Sequence, residues 1–135
     1  MTGLDTNVLV RYLTQDDPVQ ADVATRAIEE REAAGESCFI STVCLCELVW
    51  VLGAAYGYTR EEIAHAMRHI LQTRSFVFEA KEMLWQALVD YESGRADFAD
   101  HVIGRVGRAA GCDVTLSFDG GLARDSRFLL IYDKQ

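Results

Sequence analysis

The chain has 135 residues and a mass of 15.1 kDa, enough to bury roughly 68% of the surface its unfolded form exposes, so residues 1–135 read as one domain. Half of the residues are apolar, a quarter are charged and only one is proline, which excludes a disordered tail or a fibrous repeat. The net charge of −8 runs against a nucleic-acid partner until it is located: residues 16–36 alone carry −5, and the rest of the chain carries only −3.

In chain order, the opening reads as a short strand from Thr2 to about Thr6. A helix follows, with Val8, Leu9, Tyr12 and Leu13 at helical spacing and Thr6 or Asn7 as its cap. After the turn at Asp16-Asp17-Pro18, residues 18–34 read as a solvated helix closing at Gly35. Ser37 to Ile40 is a buried strand by composition, and Ser41 caps a long helix over 42–56. Thr59 opens a helix over about 59–73, with Glu61 and Glu62 in its first turn. Phe76-Val77-Phe78 is a third strand, followed by a helix over 80–93, a break at Ser93-Gly94 and a helix over about 98–110 ending at Gly111. Strands at 114–116 and 128–131 complete the chain.

Short strands alternating with longer helices imply parallel pairing with helices on both faces. The expected fold is therefore α/β: a single α/β/α sandwich with a short central parallel sheet. No apolar run reaches the ~18 residues of a membrane helix, and the first residues lack the pattern of a secretory signal. The expected location is the cytoplasm, without a membrane span. The four cysteines, Cys38, Cys44, Cys46 and Cys112, show no CxxC spacing and read as buried reduced thiols.

The chemistry lies in isolated acids that interrupt apolar sequence. Asp5 is the only charge among the first ten residues, Glu47 the only one between Glu36 and Arg60, and Asp119 the only one between Asp113 and Arg124. Burying an unpaired carboxylate costs several kcal/mol, so each needs a cation, a set of donors or a metal. Asp5 and Asp119 fall at strand ends, the rim where open parallel sheets bind ligands, and Glu47 lies in the helix leaving that rim. Asp97 and Asp100 are three apart at a helix start and face one side. Oxygen ligands without a nearby histidine or thiolate select Mg²⁺ or Mn²⁺, and such an ion supports phosphoryl transfer to water. With these five acids and residues 16–36 set aside, nine acids face eleven bases, a mildly positive surface around an acidic pocket.

Asp5-Thr6-Asn7-Val8-Leu9, Ser41 through Glu47-Leu48, Asp97-Phe98-Ala99-Asp100 and Ser117-Phe118-Asp119, in this order and spacing, resemble the PIN-domain ribonucleases, and among them the VapC-type toxins of toxin–antitoxin pairs. The resemblance spans nearly the whole chain. It implies a PIN-like nuclease domain and Mg²⁺- or Mn²⁺-dependent endonucleolytic cleavage of RNA. It also implies a homodimer and inhibition by a VapB-type antitoxin. Asp5, Glu47, Asp100 and Asp119 match the catalytic acids; Asp5, Asp97, Asp100 and Asp119 match the metal-holding set. Thr6, Asn7 and Ser117 match supporting polar positions. A PIN-domain RNA-processing nuclease without an antitoxin is the alternative within the family.

Outside it, a receiver-type signalling module also gathers acids around Mg²⁺, but it needs a lysine at the end of its last strand. The only late lysine here is Lys134. His65 and His69, four apart on one helix, read as a solvated face. Trp50, Tyr56 and Tyr58 read as core or interface packing. Arg11, Arg68, Arg95, Arg105 and Arg124 are candidates for phosphate contact.

Overall fold

The computed structural model describes residues 1–132, which form two compact units divided between residues 81 and 82; Lys134 lies outside the described residues. The α/β reading holds, with six α-helices alternating with short parallel strands.

In the first unit, β1 (Thr2–Gly3), β2 (Cys38–Ile40) and β3 (Phe76–Phe78) form a parallel sheet in the order β1-β2-β3. The register pairs Thr2 with Cys38 and Cys38 with Phe76. The connections are made by α1 (Thr6–Thr14) and α2 (Pro18–Ala33), then by α3 (Thr42–Ala54) and α4 (Arg60–Gln72). Leu9, Ile28, Ile40, Leu45, Leu48, Leu52, Met67, Ile70 and Leu71 are fully buried, and burying side chains of this size is the main stabilising term, about 1.5–3 kcal/mol each.

Local chemistry sets the helix boundaries. The first strand is shorter than expected and the cap of α1 is neither Thr6 nor Asn7: Asp5 is the N-cap, its Oδ1 accepting the Thr6 N–H at 2.8 Å. A carboxylate in extended conformation beside free helix N–H groups outcompetes the hydroxyl one residue later, which is already inside the helix. At the other end α1 closes on Gln15 with φ 56°, left-handed backbone at a non-glycine residue. Asp17 caps α2 through the Val19 and Gln20 N–H groups at 3.1 and 3.0 Å, with Pro18 in the first turn. Ser41 caps α3 through Cys44 at 3.2 Å. Thr59 and Glu62 form a reciprocal capping box on α4 at 2.9 and 3.1 Å.

In the second unit, α5 (Lys81–Ser93) leads to α6 (Phe98–Ala109), then β4 (Thr115–Ser117), a 3-10 turn (Gly120–Leu122) and β5 (Phe128–Leu130). The strands β4 and β5 pair with each other in parallel, Leu116 against Leu129, as a ladder separate from β1-β2-β3. Residues 118–127 connect them, shorter than a usual parallel crossover of a dozen or more, so a single 3-10 turn takes the place of an α-helix. Tyr91 and Phe98 meet edge to face at 6.3 Å. Gly104 is buried where any Cβ would overlap the Phe128 ring, so α6 approaches β5 closely. On the outer side of the ladder Leu116, Phe118 and Leu129 are exposed, Phe118 by 74%.

The four cysteines are free, but only Cys38 is fully buried; Cys44 and Cys46 are half-buried and Cys112 is exposed. Among the described residues no helix is long and apolar enough to cross a membrane.

Candidate active site

The expected burial of the lone acids is corrected by the structure. Asp5, Glu47, Asp97 and Asp119 are exposed, and Asp100 alone is half-buried. Glu47 shows why. Helix α3 buries Leu45, Leu48, Val49 and Leu52 and leaves Val43, Glu47 and Trp50, at i, i+4 and i+7, on the opposite face, with Val43 67% and Trp50 69% exposed. Both faces are apolar in sequence, so composition cannot say which one is inside. Trp50 is accordingly not a core residue.

In the first unit, Leu4 extends the β1 register by donating its N–H to Phe39 O at 2.9 Å, and Asp5 follows. The Cys44 thiol donates to Leu4 O at 3.5 Å. Helix α3 therefore leaves from beside the strand end that carries Asp5, and Glu47 sits one turn beyond Cys44. Glu47 has no hydrogen bond or ion pair among the described residues. Thr6 is buried and its Oγ1 has no partner, an orphaned polar atom directly after Asp5. Asn7 is exposed.

In the second unit, Asp97 caps α6 and Asp100 reaches back one turn, its Oδ2 accepting the Asp97 N–H at 3.1 Å. Asp119 caps the 3-10 turn with Oδ1 on the Gly121 N–H at 2.8 Å, and its own N–H donates to Ser117 Oγ at 3.0 Å. Burial raises the Asp100 carboxyl above its ordinary range. The Asp97 N–H opposes that shift, and the negative charges of Asp119 and Asp97 add to it. These three acids thus feel one another, and no cation is paired with any of them among the described residues.

A pattern common to three of the candidates emerges. Asp5 Oδ1, Asp100 Oδ2 and Asp119 Oδ1 each accept a backbone N–H at a helix start, which fixes the carboxylate, while the second oxygen of each has no protein partner among the described residues. Free carboxylate oxygens on fixed backbones suit a hard divalent cation. No three His, Cys, Asp or Glu side chains among the described residues are gathered closely enough to hold an ion by themselves. That donor chemistry fits Mg²⁺, which usually takes only one or two carboxylates and completes its shell with water and phosphate oxygens.

The second unit also carries an ion-pair chain that sequence reading does not reveal. Asp90 on α5 accepts Arg105 Nε at 2.6 Å and Arg127 at 3.0 Å, and Arg127 Nε lies 3.2 Å from Asp125. Asp125 in turn lies 3.5 Å from His101 Nδ1. Burial disfavours the Asp90 charge, and the two arginines more than offset it, holding that carboxyl below its ordinary range. No local spacing announces these pairs, since Asp90 and Arg105 are 15 residues apart on different helices. His101 is buried. His65 and His69 are exposed, as expected.

Residues 4–126 match the PIN domain family, and the chain belongs to it. Asp5, Glu47, Asp97, Asp100 and Asp119 all fall within the matched span, and the receiver-type reading is displaced. Among curated proteins, the chain is similar to a VapC ribonuclease of Aquifex aeolicus (strain VF5), 29% identical over 100 residues that cover 74% of this chain and 73% of that protein.

Proposed function

We propose that the protein is an endoribonuclease that hydrolyses RNA phosphodiester bonds with Mg²⁺ or Mn²⁺. It acts as the toxin of a toxin–antitoxin pair, as a cytoplasmic homodimer restrained by a VapB-type antitoxin. The observation that carries this reading is the shared construction of Asp5, Asp100 and Asp119, each with one oxygen held by backbone and one free, inside a chain of the PIN domain family. The similarity to a VapC ribonuclease favours the toxin over an antitoxin-free processing enzyme.

In this reading Asp5, Asp97, Asp100 and Asp119 are the acids from which the metal would draw its one or two direct carboxylates, the others acting through its water shell, and Glu47 joins Asp5, Asp100 and Asp119 as a catalytic carboxylate. A bound divalent ion supplies neutralisation of phosphate oxygens and a more acidic water. The chain's own contribution is preorganisation. The N-cap bonds of Asp5 and Asp119 remove rotamer freedom before substrate arrives, so little ordering remains to be done on binding. Ser117 fixes the backbone of Asp119. Thr6 and Asn7, directly after Asp5, supply the adjoining polar groups. The half-buried Asp100, beside two like charges, ionises reluctantly and gains most from a cation or from cationic substrate counterions.

The test is cleavage of a labelled RNA with Mn²⁺ and with EDTA, using wild type, Asp5→Asn and Asp119→Asn. Wild type is expected to cleave only with metal, and each variant to lose about a hundredfold or more. Full activity in both variants would overturn the assignment.

A further inference from the structure

Five arginines belong to the second unit, and three of them are committed. Arg105 is held by Asp90 and by Gln86 at 3.0 Å. Arg127 is held by Asp90 and Asp125. Arg108 donates to the Asp113 and Ser126 carbonyls at 3.4 and 3.3 Å. Arg95 and Arg124 are exposed and have no protein partner among the described residues. Together they line a cavity of about 320 Å³ whose wall includes Gly94 and Gly121.

This cavity shares Gly94, Gly121 and Arg124 with a second one of about 270 Å³. His101 lines that second space, only 4% exposed, with neither ring nitrogen hydrogen-bonded. Its Nε2 faces Gly94, where an added Cβ would come within 3.1 Å. Nδ1 faces Asp125 at 3.5 Å without a hydrogen bond, and a buried Nε2 with no partner is costly unless something polar reaches it, so the paired cavities suit a polar occupant.

The charge decides its sign. The carboxylates in the lining, Asp90 and Asp125, are matched by Arg105 and Arg127, which leaves the two charges of Arg95 and Arg124 in surplus. No Phe, Tyr or Trp side chain lines either space, so nothing is present on which a base would stack. Paired guanidiniums without a carboxylate suit phosphate oxygens. The position fits as well: a Cβ on Gly121 would lie 3.2 Å from Ala96 N and 3.4 Å from the Arg95 carbonyl carbon. The arginine-bearing loop thus lies against the turn opened by Asp119, and Asp97 follows two residues after Arg95.

The geometry points to Arg95 and Arg124 as a subsite for a backbone phosphate of the RNA flanking the one that is cleaved, an inference that rests on the ribonuclease reading above. The other arginines considered from sequence do not share this role in the same way, since Arg11 is held by Asp16 at 3.0 Å and Gln20 at 2.7 Å and Arg105 by Asp90.

The experiment measures binding of a fluorescein-labelled single-stranded RNA 12-mer by the full chain in EDTA, across a salt series. Wild type is compared with the double variant Arg95→Gln/Arg124→Gln, and Arg26→Gln serves as a surface control. Each neutralised phosphate contributes about 0.7 to the slope of log K against log salt for single strands, so losing this one phosphate is expected to lower the slope of the double variant by about 0.7. Its Kd should rise about tenfold at low salt, with an unchanged Tm. In Mn²⁺ its KM should rise more than its kcat falls. A double variant that keeps the wild-type slope and Kd, while wild type binds and cleaves, overturns the subsite alone. Wild type that neither binds nor cleaves RNA overturns the ribonuclease reading and the subsite with it.

Discussion

Gly121 gives its N–H to Asp119 Oδ1 at 2.8 Å and has no side chain at the point where one would stand 3.1 Å from that same oxygen. The bond and the missing Cβ are two halves of one arrangement: the turn closes around the carboxylate because its partner is small, and the Arg95-Ala96 backbone fits against it for the same reason. Gly121→Val is expected to cost about 1–3 kcal/mol through overpacking and to reduce RNA cleavage further than the lost stability explains. Urea denaturation beside a cleavage assay at a temperature where both proteins remain folded separates the two effects.

Asp100→Asn is expected to stabilise the protein while abolishing cleavage. The folded-state carboxyl is raised above its ordinary 3.8 by burial and by Asp119 and Asp97, so its ionised form destabilises the native state once the pH rises through that shifted value. Asparagine keeps an oxygen for the Asp97 N–H and lacks the charge. The variant is expected to be the more stable at pH 7, the difference disappearing below pH 3.8, where wild type is itself protonated. Thermal melts across pH read this directly.

Asp16 has the opposite sign. Hydrogen bonds from Thr14 and Tyr56, with Arg11 beside them, lower its carboxyl from 3.8 to about 2. A depressed acid contributes stability that is complete above its unfolded value and is lost as pH falls through the folded one. Wild type and Asp16→Asn should therefore differ at neutral pH and converge between pH 3.8 and about 2. Convergence at higher pH would mean that the contacts do not hold the charge.

Asp90→Ala should be among the more damaging changes away from the candidate site. It leaves Arg105 and Arg127 facing each other in a half-buried setting, and a cost of about 2–3 kcal/mol is expected. A double-mutant cycle with Arg105→Ala would show whether the loss lies in this pair.

The alternation of helix and strand was legible because apolar periodicity, Gly35, Gly111, Ser41 and Thr59 are local signals. Their physics is contained within a few residues. In the sequence Asp5 competes as a cap with Thr6 and Asn7, which are equally good cap residues, and only the end of β1 at Gly3 decides among them. The exposure of Glu47 was hidden by a helix apolar on both faces. The chain from Asp90 through Arg127 to His101 was out of reach for a different reason: each pair joins separate elements, and its existence depends on how α5, α6 and the 120–127 segment pack. The carboxylates themselves stood out in sequence because charge amid apolar residues is rare.

The outward side of the β4–β5 ladder has a practical consequence for handling. Leu116, Phe118 and Leu129 present oily surface to water, and the net charge of −8 keeps neighbouring molecules apart. Salt shortens the reach of that repulsion to about 8 Å at physiological strength and about 3 Å at 1 M. Concentrated stocks should thus behave as a charge-stabilised colloid, clear in dilute buffer and increasingly prone to clumping as salt is added.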